Sequence, residues 1–199
     1  MTVSGDGGGD GGVRVVARPH VAVIGASQAG PVESALAFTV GDLLVRAGAV
    51  IVCGGGGGVM EAACRGAQLA AEGLSRGGHP EPESGRAPLD RAAEIVTIGI
   101  LPGLDRAAAN PYVDVAIPTG MGELRNGLIV RAVDAVVAVG GAYGTLSEIA
   151  LALRAGKRVV GLQTWELSPE QLPDDGFVVA AEAEEAVAIA LDAARSAKL

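Results

Sequence analysis

Residues 135–148 read AVVAVGGAYGTLSE, and this stretch decides the fold class. It starts with a run of small and β-branched apolar residues, which is typical of a strand buried on both faces of a sheet. A glycine-rich turn follows, and the sequence then changes to a helical pattern. Thr145 is placed to cap that helix, and Glu148 lies about one turn inside it. Strand, glycine turn and helix in this order form the repeating unit of a doubly wound α/β protein.

The same unit recurs along the chain on both sides of this stretch. Because the apolar runs are continuous rather than alternating, we expect strands covered on both faces, as in a parallel sheet. The sequence therefore predicts a Rossmann-like doubly wound parallel sheet with helices on both faces. Strands are expected at residues 20–25, 49–53, 94–100, 113–117, 135–139, 158–162 and 177–179, and helices at residues 32–47, 58–72, 122–132, 145–155 and 182–194.

Two polar stretches interrupt the alternation. Residues 1–12 are dominated by Gly and Asp, and we expect them to form a disordered tail. Residues 75–91 are rich in Gly, Pro and charged residues, and we expect a flexible loop there. The remaining sequence, residues 13–199, is expected to form a single nucleotide-binding domain.

Composition and charge narrow the class of ligand. The formal net charge is −8, which disfavours nucleic acid because a phosphate backbone requires a concentrated basic surface. A small phosphorylated ligand remains compatible, since backbone N–H groups and one or two arginines can hold it. The two cysteines form no CxxC pair, and no apolar run is long enough for a membrane helix. We therefore expect a cytoplasmic protein without a signal peptide.

Glycine clusters follow three of the predicted strands, at the edge where parallel sheets bind ligands. The loop that begins Gly25-Ala-Ser27 is a phosphate- or ribose-facing loop or an ordinary tight turn, and its residues do not decide between the two. The five consecutive glycines 54–58 favour close backbone approach to a ligand, because ordering so many glycines is entropically costly. Cys53 before them is interpreted as a small buried residue rather than a nucleophile.

A fourth junction between a strand and a helix carries Arg125 and Asn126. Arginine can form paired hydrogen bonds to phosphate or carboxylate, although a solvated helix arginine is the default interpretation without context.

Together these loops resemble the Lonely Guy family, whose hallmark is a Pro-Gly-Gly-x-Gly-Thr-x-x-Glu motif. Here residues 140–148 read GGAYGTLSE, the glycine loop is followed by Met60, and residues 99–102 read GILP. The resemblance implies hydrolysis of the N-glycosidic bond of a nucleoside 5′-monophosphate, with Arg125 and Glu148 as the catalytic pair. It also implies a ligand- and phosphate-binding set of Gly25, Ser27, Gly54, Gly55, Gly56, Gly57, Gly58, Met60, Asn126, Gly141, Ala142, Tyr143, Gly144 and Thr145.

The chain departs from the motif at four positions. Gly140 replaces the proline, Ala142 replaces a glycine, and Ser147 and Asn126 stand where the plant enzymes usually have Glu and Lys. These departures resemble the bacterial branch that includes molybdenum cofactor carrier-like proteins, which bind a phosphorylated pterin.

Three functions follow as hypotheses. The first is a phosphoribohydrolase, the second a non-catalytic carrier with molybdenum cofactor as cargo, and the third a ligand sensor or interaction protein. None requires a bound cofactor for catalysis. The only two histidines, His20 at a strand start and His79 in the predicted loop, argue against a catalytic triad or a His-based metal site. A pyridoxal-phosphate decarboxylase is rejected, because Lys157 and Lys198, the only lysines, lie away from the ligand edge. Relatives are commonly dimers, so we expect a homodimer.

Overall fold

The computed structural model describes residues 18–76, 95–168, 170 and 172–196. Seven parallel strands form one sheet in the order β4-β3-β2-β1-β5-β6-β7. The strands are β1 His20–Gly25, β2 Val50–Cys53, β3 Thr97–Leu101, β4 Val115–Pro118, β5 Ala135–Val139, β6 Arg158–Leu162 and β7 Phe177–Ala180. The helices are α1 Pro31–Arg46, α2 Val59–Arg76, α3 Asn126–Arg131, α4 Tyr143–Arg154 and α5 Ala183–Ser196. The α/β class and the parallel sheet are confirmed.

Two apolar cores lie on the two faces of the sheet, so the prediction of helices on both faces is also confirmed. Alternate residues of β1 belong to opposite cores: Val21 and Val23 pack with α1, α2 and α5, whereas Ala22 and Ile24 pack with α3 and α4. Every residue of β5 is buried, which explains why its sequence is continuously apolar.

Helix ends account for most differences from the predicted elements. The helix expected at residues 58–72 continues to Arg76, where half-buried Leu74 packs on the core. The helix expected at residues 122–132 is instead a short 3-10 helix, Gly122–Arg125, followed by α3. Residues 75 and 76 of the predicted flexible loop therefore belong to α2. The rest of that loop, up to residue 91, and the predicted tail 1–12 lie outside the described residues.

The direction of chain growth along the sheet changes at β1, which lies between β2 and β5. Such a switch point opens a crevice at the carboxyl ends of the strands, and ligands of this fold class bind there. The glycine loops after β1, β2 and β5 all lie at this edge, as the sequence predicts.

Candidate functional site

The loops after β1 and β2 pack against each other. Gly58 has a φ of 63°, and a Cβ atom there would overlap the carbonyl oxygen of Ala26 and lie 2.6 Å from the carbonyl carbon of Ser27. The Val59 N–H donates to the Ala26 carbonyl oxygen at 3.1 Å. Gly25 is also enclosed, since a Cβ atom would lie 2.5 Å from the Val139 carbonyl oxygen. Gly25 and Gly58 therefore have packing roles, whether or not a ligand contacts them.

Asn110, a residue that our sequence interpretation missed, holds the glycine loop after β2. Its backbone N–H donates to the Gly55 carbonyl oxygen at 2.8 Å, and its side-chain Nδ2 donates to the Gly56 carbonyl oxygen at 2.9 Å. Asn110 is only 8% exposed. Asn110 is consequently a specific polar partner that holds the five-glycine segment in place.

Arg125 and Glu148 come together at this edge, as predicted. Arg125 Nη1 lies 3.4 Å from Glu148 Oε1, and the two side chains are only 13% and 8% exposed. The guanidinium also packs over Gly54, where a Cβ atom would lie 2.5 Å from Arg125 Nη2. The absence of a side chain at Gly54 thus allows Arg125 to lie against the loop. Met60 also packs against Gly54.

Burial dominates the electrostatics of this pair. It raises the pKa of the Glu148 carboxyl to about 7, and the charge of Arg125 opposes the shift only in part. Near neutral pH the protonated and the ionised forms of the carboxyl are therefore both populated, as a general acid or base requires. Arg125 Nε is buried and has no hydrogen-bond partner among the described residues, so the guanidinium keeps a free donor.

Asn126 and Ser147, two of the positions where the motif departs from the family pattern, contact each other. Asn126 Nδ2 donates to Ser147 Oγ at 3.3 Å, and Ser147 Oγ donates to the Gly144 carbonyl oxygen at 2.7 Å. Asn126 Oδ1 in turn accepts a hydrogen bond from Arg125 Nη1. A Lys–Glu pair at these positions would also be neutral in sum. The two departures from the motif therefore lie in one contact.

The turn after β5 explains the other two departures. Gly140 has a φ of 53°, which proline cannot adopt because its ring fixes φ near −65°. Ala142 has an extended backbone and precedes α4, which an alanine tolerates as well as a glycine. The prediction that Thr145 caps the helix is wrong: α4 begins two residues earlier at Tyr143, and buried Thr145 lies inside its first turn against Gly141.

Cys53 and Cys64 form a buried pair under the glycine loop, with their sulfur atoms 3.6 Å apart. The Gly55 N–H donates to Cys53 Sγ at 3.3 Å. The hydrogen bond with Cys53 and burial both raise the pKa of the Cys64 thiol. The structure thus places Cys53 in the interior, in line with its interpretation as a small buried residue. Among the described residues, no cluster of three or more His, Cys, Asp or Glu side chains could hold a metal ion.

The predicted site residues do not form one uniform surface. The guanidinium of Arg125 contacts Asn126, Glu148 and Gly54, whereas Tyr143 is 82% exposed at the start of α4.

No helix in the described part of the chain is long and apolar enough to cross a membrane.

Fold and site together define a Rossmann-like protein of the Lonely Guy-like class. More specifically, the chain belongs to the SLOG cluster4 family, whose sequence model matches residues 18–88 and 90–188.

Two solved structures are similar over nearly their whole length. The molybdenum cofactor binding protein of Rippkaea orientalis is 32% identical with a TM-score of 0.71, and the alignment covers 89% of this chain and 98% of that one. The molybdenum cofactor carrier protein of Chlamydomonas reinhardtii is 29% identical with a TM-score of 0.66, covering 88% and 98%. An uncharacterized protein of Archaeoglobus fulgidus is 38% identical over 144 residues, which are 72% of this chain and 80% of that protein.

Proposed function

We propose that this chain binds a small phosphorylated ligand at the carboxyl edge of its sheet. The observation that carries the proposal is the buried Arg125–Glu148 pair. The guanidinium is permanently charged, but the carboxyl facing it has a pKa of about 7 and is only partly ionised at neutral pH. An excess of positive charge therefore remains beside Gly54, where an anionic group would be attracted.

For that ligand we favour the role of a carrier, with molybdenum cofactor as cargo. Two proteins of similar structure, about 30% identical to this chain, are named for binding or carrying that cofactor. Molybdenum cofactor is a phosphorylated pterin, so it offers an anion to Arg125. A carrier needs no chemical step, and the Asn126–Ser147 contact keeps the site ordered without the charged pair of the plant enzymes.

Hydrolysis of a nucleoside 5′-monophosphate is the second candidate, and the raised pKa of Glu148 favours it. Deprotonated Glu148 would take a proton from water as that water attacks the anomeric carbon. The N-glycosidic bond breaks, the proton that Glu148 took is passed to the leaving base, the hydroxyl of the water bonds to the anomeric carbon, and the products are the free base and ribose 5-phosphate. Arg125 would hold the phosphate or stabilise the carboxylate.

One panel of assays separates the two functions. Purified protein is incubated with nucleoside 5′-monophosphates, and free base and ribose 5-phosphate are measured in parallel with binding of molybdenum cofactor. A carrier binds the cofactor and releases no base. A hydrolase releases base at a rate that Glu148→Gln lowers by about 100-fold or more, whereas a Glu184→Gln control on α5 leaves it unchanged. If neither binding nor hydrolysis is observed, the proposal of a phosphorylated ligand fails.

We also propose a homodimer, located in the cytoplasm and without affinity for nucleic acid. Exposed apolar side chains on and beside the 3-10 helix support a self-association surface: Met121 is 43% and Leu124 is 79% exposed. Light scattering after size exclusion is expected to give twice the chain mass, and Leu124→Glu to give a monomer. A monomeric wild type would refute the dimer.

A further inference from the structure

A second cleft adjoins the glycine turn after β5. It has a volume of about 380 Å³ and opens widely to solvent. The cleft lies between the first turn of α1, the β5 turn and the loop after β6. Its lining consists of Glu33, Gly140, Gly141, Gln163, Thr164, Trp165 and Glu166.

Side-chain hydrogen bonds fix the wall that the β6 loop provides. Thr164 Oγ1 donates to the Gly140 carbonyl oxygen, and Trp165 Nε1 donates to the Ala142 carbonyl oxygen at 3.3 Å. Gln163 holds a φ of 50°, the left-handed region that a residue with a side chain seldom adopts. Such backbone outliers concentrate at ligand sites, where the surrounding structure enforces them. The cleft is therefore a preformed feature.

Trp165 lines this cleft, and its ring contacts that of Tyr143, which lies beside the cleft. The sequence has one Trp, two Tyr and two Phe, and Tyr143 and Trp165 stack with ring centroids 6.0 Å apart and an angle of 30° between the rings. Tyr143 is 82% exposed, so a face of its ring is open to solvent. An exposed aromatic ring beside a polar cleft is suited to stacking with a planar heterocycle.

The charge of the cleft selects the kind of heterocycle. Glu33 and Glu166 are the only charged residues among the described residues that line it. Glu33 is held in place, because its Oε2 accepts the Gly30 N–H at 2.8 Å. Carboxylates accept hydrogen bonds and repel phosphate, so this end of the site suits the donor-bearing part of a ligand. The phosphate would lie on the side of Arg125.

We propose that this cleft binds the ring of a fused heterocycle that carries adjacent ring N–H and exocyclic amino donors. Two such donors can pair with the two oxygens of one carboxylate while the ring extends over the exposed ring of Tyr143 beside the cleft. Guanine and pterin share this 2-amino-4-oxopyrimidine ring. The inference rests on the proposed phosphorylated ligand and specifies its other end.

Trp165 is the only tryptophan, so quenching of its fluorescence reports directly on the cleft, and calorimetry provides an independent affinity. The probes are GMP, IMP and pterin. IMP differs from GMP only by lacking the exocyclic amino group, and we expect it to bind about tenfold more weakly. Tyr143→Ala is expected to weaken GMP and pterin binding about tenfold. Glu166→Gln is expected to reduce the preference for GMP over IMP. The exposed controls Val179→Ala and Glu184→Gln are expected to bind like the wild type.

Pterin and ribose 5-phosphate test the two proposals separately. Pterin carries only the heterocycle and tests the cleft, whereas ribose 5-phosphate carries only the phosphorylated sugar and tests the site at Arg125. If ribose 5-phosphate fails to bind but pterin binding depends on Tyr143, the cleft stands and the phosphate site fails. If GMP and IMP bind equally, if Tyr143→Ala has no effect, or if neither pterin nor GMP quenches Trp165, the cleft inference is overturned.

Discussion

Replacement of Glu148 by glutamine tests the electrostatics of the site through the stability of the folded chain. Burial raises the pKa of this carboxyl from 4.5 to about 7 in the folded state. Between these two values the folded protein holds a proton that the unfolded chain has released. Stability therefore falls as pH rises through this window. The full shift of about 2.5 pKa units corresponds to about 3.4 kcal/mol, and the part between pH 5 and pH 8 to about 2.5 kcal/mol.

Glutamine has nearly the same shape and does not titrate, so Glu148→Gln removes this loss. We expect the difference in unfolding free energy, variant minus wild type, to increase by about 2.5 kcal/mol between pH 5 and pH 8. For a chain of this size the difference in Tm should then change by about 5 to 10 °C over the same range. Any constant cost of removing the partner of Arg125 cancels from this comparison.

The assay is denaturant or thermal unfolding of both proteins in buffers from pH 5 to pH 8. Glu184→Gln on the exposed side of α5 is the matched control, and its difference from wild type should stay nearly constant with pH. If the Glu148→Gln difference is also flat with pH, burial does not raise the pKa of Glu148, and the argument for excess positive charge at Arg125 fails.

Further substitutions test two glycine positions and the Asn126–Ser147 contact. Gly58→Ala should destabilise the fold by about 2 kcal/mol or more, because the residue has a positive φ and its Cβ would overlap the neighbouring loop. Gly73→Ala, inside α2 with no described atom within 4 Å of the added Cβ, should instead stabilise it by about 0.5 to 1 kcal/mol, as urea unfolding of the two variants can show. Ser147→Glu should weaken ribose 5-phosphate binding, because it adds a negative charge beside Asn126, and adding Asn126→Lys should recover most of the loss; additive effects in a double-mutant cycle would show that the two positions are not coupled.

The sheet could be predicted well because its signal is local. β1, β5 and β6 have the predicted bounds, since each is a short, continuously apolar run that ends at a change of composition. The pair of Arg125 and Glu148 was also predicted, but through a resemblance to known motifs and not through the spacing of the residues. Helix ends were less accurate, because capping and packing decide them and apolar periodicity does not.

The rest of the site depends on contacts between residues far apart in sequence. Asn110 holds a loop 54 residues earlier, and Trp165 contacts a turn 23 residues earlier, so neither stands out in its own segment. The motif departures at positions 126 and 147 counted as two losses in the sequence, although they are one contact in space. The five-glycine loop pointed to a ligand, yet part of its glycine requirement is the packing of Gly58 against Ala26.

The most direct test of the central claim is calorimetric titration of ribose 5-phosphate into the wild type and into Arg125→Ala, with ribose as the uncharged control ligand. We expect the wild type to bind ribose 5-phosphate, ribose not to compete, and Arg125→Ala to weaken binding by about tenfold or more, because a charged hydrogen bond is lost. Equal binding by wild type and Arg125→Ala, or no binding by the wild type, would contradict that claim.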